Sequence, residues 1–179
     1  MKKLLGVLAF ALLVPAAAQA QPIHDMGSLG FHDPSAPLGF RWWVTQRWAI
    51  DADFGVGSTD VPSIDQHLSN WVIDVGVPIR LSSWDRVHFL LRPGLIYRSQ
   101  EVVTDVGPPV LTDTDHQTEW GAELETEVFL VENVSVSASE GFAVVNTSPA
   151  MGSSTTDWQT TGGNFTRLGF HVYLFGKSR

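Results

Sequence analysis

The chain contains no cysteine. Neither a disulfide framework nor thiolate chemistry is therefore available to it. Lysine is almost missing, occupying only positions 2, 3 and 177. Past the first twenty residues there is no apolar run long enough for a membrane-spanning helix. Cations as a whole are scarce: 11 Lys and Arg stand against 19 Asp and Glu. Without Lys2 and Lys3 the balance is 9 against 19, a formal charge of −10, which argues against a nucleic-acid partner. No helical repeat, low-complexity tract or linker divides the chain, and its length suits one domain.

The start of the chain reads as an export signal. Lys2 and Lys3 precede the apolar stretch Leu4 to Val14, and Ala18-Gln19-Ala20 fits a cleavage site of the A-x-A type. Residues 1–20 are expected to be removed, leaving 21–179 as a single domain that begins at Gln21. The apolar run is too short for an uncleaved anchor.

What the remainder does contain is alternation. In EWGAELETEVFL, Glu119, Gly121, Glu123, Glu125, Glu127 and Phe129 occupy one parity, and Trp120, Ala122, Leu124, Thr126, Val128 and Leu130 the other. A period of two means a β-strand with an acidic and an apolar face. The same period predicts strands over Leu38 to Val44, Trp48 to Gly57, Leu68 to Leu81, Val87 to Glu101, Val134 to Asn146 and Asn164 to Phe175. Met26 to Phe31 is read as a short first strand, followed by a turn over His32 to Pro37. That makes eight strands. Their connections alternate between short turns (45–47, 82–86, 131–133) and long polar loops (58–67, 102–115, 147–163), as in an up-and-down meander.

A strand of this kind fits two settings: apolar face toward a soluble core, or apolar face toward lipid with the charges inside a barrel. Three features favour lipid. Every cation inside a predicted strand is arginine (Arg41, Arg80, Arg92, Arg98, Arg167), the residue whose fork pairs bidentately with carboxylates in a confined interior. The aromatics Trp71, Tyr97 and Trp120 lie on the apolar face near the long loops, and Trp42 and Trp48 near the short turns, as two interfacial belts. Glycines 39, 55, 57, 76, 94, 121, 141 and 169 all share the charged face, where an eight-stranded barrel is most crowded.

With these strands and the unit LGFRWWVTQRWAIDADFGVG, the sequence resembles the small outer-membrane barrels of the OmpA/OmpX-like class. The resemblance implies an all-β fold, an eight-stranded antiparallel transmembrane barrel, with short periplasmic turns and longer extracellular loops. It further implies residence in a bacterial outer membrane after export through the inner membrane, with lipid and the barrel-assembly machinery as partners. Three features depart from the pattern. Gly-Lys-Ser-Arg follows Phe175, Pro93 falls mid-strand where a bulge is expected, and Glu140 falls on the apolar face, requiring a bulge near Ser139 to Gly141 or a place at the rim.

The charged parity defines a candidate lumen network: Arg41, Asp51, Asp53, Asp74, Arg80 and Arg92 in the first half, Arg98, Glu119, Glu123, Glu125, Glu127 and Arg167 in the second. Pairing of the strands around loop 102–115 is expected to set Arg98 against Glu119 and Arg92 against Glu125. The turn at 45–47 sets Arg41 against Asp51. Buried charges need partners, so these groups read first as a salt-bridge plug and second as a proton or ion path. The loop acids Asp60, Asp65, Asp105, Asp113, Asp115 and Asp157 lack a Ca²⁺-loop pattern. The histidines show no metal-ligand spacing and no nucleophile-elbow motif occurs. No catalytic residue, metal or cofactor is expected. The functional expectation is a structural or surface-interaction protein acting through its loops, with an unknown surface ligand as a candidate partner. The alternatives are a secreted soluble barrel holding an apolar ligand and a membrane-embedded lipid-modifying enzyme.

Overall fold

The computed structural model describes residues 27–62, 66–105, 111–160 and 167–175. The proposed signal, Met26, the loop residues 63–65, 106–110 and 161–166, and the tail with Lys177 lie outside the described residues.

Among the described residues, ten β-strands form one closed antiparallel barrel of eight staves. They are β1 (Gly27–Phe31), β2 (Leu38–Trp43), β3 (Ala49–Val61), β4 (Gln66–Gly76), β5 (Ile79–Trp84), β6 (Val87–Asp105), β7 (Leu111–Val131), β8 (Val134–Ser148), β9 (Thr155–Thr160) and β10 (Arg167–Phe175). Staves that are neighbours in sequence are neighbours in the sheet, and β10 pairs with both β1 and β8, which closes the circle. Two staves are broken. β4 and β5 pair with β6 in turn, and β9 and β10 pair with β8 in turn.

The first break corrects the expectation of one strand over Leu68 to Leu81. Gly76 faces Gly94 and Ile79 faces Leu91, so the register runs through, but the ladder lapses at Val77 and Pro78. Pro93, across from this point, has no N–H to give. Its carbonyl still accepts from Val77 N at 3.0 Å. The irregularity expected at Pro93 is therefore not a bulge in its own strand: Pro93 pairs with Ala122 in unbroken register. The bulge lies further on, between Arg80 and Ser82.

The second break bears on Glu140. No register shift occurs near it on the β7 side, where Glu140 faces Leu124. It is exposed on the outer face. On its other side, β8 passes from β10 (Ser139 facing Arg167) to β9 (Phe142 facing Thr160), and Glu140 and Gly141 lie between the two ladders.

The staves are longer than alternation alone predicts. Residues 58–61 pair with residues 66–69 where a polar loop over 58–67 was expected. The expected loop 102–115 is a paired extension of β6 and β7 up to Asp105 facing Leu111. The expected loop 147–163 contains β9. The expected turn 82–86 shrinks to Asp85 and Arg86, with Asp85 in the left-handed region at φ 52°. Backbone pairing continues here because β-branched and polar residues such as Thr112, Thr114, Thr155 and Thr156 suit a solvated sheet as well as a loop.

The staves made by β1 and β2 are short, five and six residues. Their connection, residues 32–37, turns into the barrel instead of away from it, burying His32 and Ala36. It is braced internally by Ala36 N donating to Asp33 O at 2.9 Å and Ser35 N donating to the Asp33 carboxylate at 2.8 Å.

Candidate functional site

The parity of each strand decides what the interior contains. β7 turns Glu119, Glu123, Glu125 and Glu127 inward and Trp120, Leu124 and Leu130 outward. The four glutamates form an anionic spine, met by side chains from several other staves.

Near the end away from the short turns, Glu119 accepts from Arg98 Nη1 of β6 at 3.0 Å and is bridged by Arg167 of β10. Arg167 also bridges Glu123 and reaches Asp33 of the inturned segment at 3.1 Å. Glu123 further binds His32 Nε2 at 2.7 Å and accepts from the Ser139 hydroxyl at 2.6 Å. In the middle, Arg41 of β2 reaches across the lumen and donates through Nη1 and Nη2 to Glu125, both at 3.0 Å, and through Nη2 to Asp51 at 2.9 Å. Arg92 of β6 donates to Asp51 and to Asp74, both at 2.8 Å. Asp53 accepts from the backbone N of His32 at 2.9 Å. Toward the short turns, Glu127 accepts from Ser135 at 2.6 Å and Tyr173 at 2.8 Å, and the indole of Trp43 donates to the Tyr173 oxygen at 3.3 Å. Arg80 stacks over Trp43 at 4.3 Å.

Two small apolar clusters bracket the charges. Trp43, Ala49, Leu90, Phe129 and Tyr173 pack at the short-turn end, and Ala36 packs against Val72 and Ile96 toward the other. Between them a void of about 10 Å³ is lined by Arg92, Ile96, Glu119, Glu123 and Arg167, with Gly94 and Gly121. That is about the room one water needs. Glycine on this face is a matter of space: a Cβ at Gly76 or Gly94 would strike the Arg92 guanidinium.

All twelve residues of the expected network point inward. Ten are buried, while Arg80 and Arg98 are partly exposed at either end. The Arg41–Asp51 pairing is present. The pairing across β6 and β7 is corrected by two residues: Arg92 faces Glu123 and Arg98 faces Gln117. Parity survives a slip of two, so the faces were unaffected. Arg98 still reaches Glu119 diagonally, but Arg92 turns to Asp51 and Asp74, leaving Glu125 to Arg41.

Sequence reasoning missed His32, His88 and His171, all within 3% of full burial inside the barrel. The parity of β6 and β10 carried a signal for the last two. Nothing in the sequence revealed that 32–37 turns inward. Ser139, His32 and Glu123 invite comparison with a hydrolytic triad, but the serine donates to the same Glu123 oxygen that meets the imidazole. The hydroxyl lies 3.4 Å from His32 Nε2, a longer contact than its 2.6 Å bond to Glu123.

Outside, Trp42, Trp48 and Trp120 are exposed, and Trp71 and Tyr97 pack at 5.0 Å between ring centres, with the Tyr97 hydroxyl bonded to His116 at 2.8 Å. The structure adds Trp158, opposite Val144 of β8, which in turn faces Trp120. It also adds Trp84 at the other end. Of the loop acids, Asp60 meets His67 at 2.6 Å on an exposed hairpin and Asp115 accepts from Ala150 N at 2.6 Å. Asp65 lies outside the described residues, and no His/Asp/Glu group among those described is arranged to hold a metal. Glu101 accepts from Ser69 N at 2.8 Å, which holds its carboxyl below the usual range. No protein-family model, curated protein or solved structure matches this chain.

Proposed function

We propose that this chain is an integral protein of a bacterial outer membrane, a small barrel of the OmpA/OmpX-like class, exported with loss of residues 1–20. The observation that carries the reading is the inversion of the barrel. Charged groups fill the inside, while Leu38, Val56, Leu124, Phe142 and Leu168 are each more than half exposed on the outside. In water such a surface would be a large apolar patch with no partner. In lipid it is the expected exterior.

Dimensions support this. From Trp120 to Leu130 the strand advances ten residues. At ~3.3 Å per residue and ~40° of tilt this spans ~25 Å, the height of a bilayer's apolar band. Tryptophans stand at both limits, where amphipathic rings favour the interface. The polar hairpins beyond Trp71, Tyr97, Trp120 and Trp158 would then project into the medium. A surface-interaction role belongs to them, and the filled lumen acts as structural support. The soluble alternative needs apolar faces turned inward to hold a ligand, and it finds charged groups there instead.

Fractionation tests the proposal. The mature protein should sediment with outer membranes, resist carbonate extraction and migrate differently on gels before and after heating. Recovery in the soluble periplasmic fraction, stable without detergent, would overturn it.

A further inference from the structure

The barrel wall is not equally high all round. β1 ends at Phe31, and β2 begins at Leu38, which faces Phe54 of β3. β3 runs on past Phe54 to Val61. On the other side, β9 carries upward the stave that β10 builds, since both pair with β8. Among the described residues, two stave positions therefore hold no strand above Phe31 and Leu38. β3 and β9 lie three strand spacings apart across this notch, ~14 Å, which leaves room for two further strands.

The two lips of the notch reach the same level. Followed along paired residues, the row through Asp53 meets β8 at Ser135 one way round and at Val145 the other, ten residues apart. That stagger over eight staves tilts the strands by ~40° and raises the row by ~1.25 residues per stave. Asp157 pairs with Val145, five staves on from Asp53, and so stands ~6 strand residues above it. Asp60 of β3 stands seven above it. β3 rises through this level and β9 descends, so a two-stranded hairpin fits between them antiparallel to both. A single strand could be antiparallel to only one.

Both lips are bare strand edges. Residues 56–61 pair with β4 and residues 155–159 with β8, and neither run has a backbone partner on its other side. Every second residue of an antiparallel edge turns its N–H and C=O away from the ladder. Protein edges are usually blunted by lysine, proline or a bulge. VGSTDV and TTDWQ contain neither residue, and neither ladder has a bulge. Charge selects the occupant. Stretches 55–69, 99–117 and 146–166, at the long-loop end, hold seven acids and no Lys or Arg. A second copy would set acid against acid.

We infer that the notch docks a cationic β-hairpin of another protein, one strand adding to the edge of β3 and the other to the edge of β9. The hairpin takes the two empty stave positions, and its lysines or arginines meet Asp60 and Asp157. This docking role rests on the surface-interaction reading for its place outside the cell, while both lips exist whatever surrounds the barrel.

The test is titration of the micelle-refolded barrel, at low salt, with a labelled synthetic hairpin of alternating threonine and lysine around an Asn-Gly turn. Saturable one-to-one binding is expected by fluorescence anisotropy, with amide hydrogen exchange slowed at 56–61 and 155–159. The same hairpin with glutamate in place of lysine should not bind. A version N-methylated along its outer edges keeps the charge but cannot pair, and should bind at least ~10-fold more weakly. Asp60→Asn combined with Asp157→Asn should weaken binding ~10-fold. Equal binding by the N-methylated hairpin, no binding by the lysine hairpin, or slowed exchange at both lips from self-association alone would overturn the inference. A chain that stays folded without detergent would overturn the membrane reading instead, and leave the hairpin titration to be judged by itself.

Discussion

Arg92 offers the sharpest test of the interior. Its guanidinium donates to Asp51 and Asp74 at 2.8 Å, and both carboxylates and the arginine are within 2% of full burial. Asp51 keeps a second partner in Arg41, but Asp74 has no other ion pair among the described residues. Arg92→Leu therefore strands Asp74. Removing one partner of a buried pair costs ~3–5 kcal/mol. With a urea slope of ~2 kcal/mol per molar, the midpoint should fall by ~1.5–2.5 M. Arg92→Leu combined with Asp74→Leu should recover much of the loss, since neither charge is then left alone. Arg92→Leu with Glu125→Leu should recover far less, because Glu125 belongs to Arg41. Urea titration of the wild type, the single variants Arg92→Leu, Asp74→Leu and Glu125→Leu and the two double variants, all refolded in micelles, yields both coupling energies. A coupling of Arg92 to Glu125 equal to that with Asp74 would refute the arrangement. A coupling to Asp74 below ~1 kcal/mol, the range of solvated pairs, would refute the dry interior itself.

Further outcomes follow from the same geometry. Planar-bilayer recordings of the purified chain should show little or no steady current, because side chains and the inturned segment 32–37 occupy the lumen; large reproducible channels at neutral pH would contradict this. Gly76→Val places atoms where the Arg92 guanidinium lies, and should lower stability by ~1–3 kcal/mol, measured as a urea midpoint shift in micelles. Glu140→Leu removes a carboxylate from the apolar exterior opposite Leu124; it should raise the midpoint in lipid or micelles, and a fall would count against lipid at that face. The Ser69 amide favours the ionised Glu101 carboxyl. That contact is therefore present above the ordinary glutamate range and lost as pH falls through the lowered value, which the Ser69 amide shift in an NMR titration should report.

Much of the barrel was legible in the chain itself. A period of two assigns each residue of β3, β6, β7 and β8 to a face, and it needs no knowledge of partners. That is why Glu119 through Glu127, Arg41, Arg92 and Arg167 were placed inside correctly while their registers were still unknown. Strand ends were less legible. Thr112 to Thr118 and Thr155 to Thr160 carry turn-like composition, yet they pair, because a neighbouring strand already offers hydrogen bonds that a loop would have to find in water.

Sequence alone determined the alternation, the arginine-for-lysine choice and the surplus of acid, since each is a property of single residues or of their spacing along one strand. Only the tertiary structure decided which arginine meets which carboxylate. A slip of two residues leaves every face unchanged but moves each partner by ~6–7 Å, the rise of two strand residues. It also decided that His32 to Pro37 turns inward, because that depends on β1 and β2 ending below the staves around them. Alternation along a strand reports a face. Contacts across a lumen depend on closure, and closure is settled by all eight staves together.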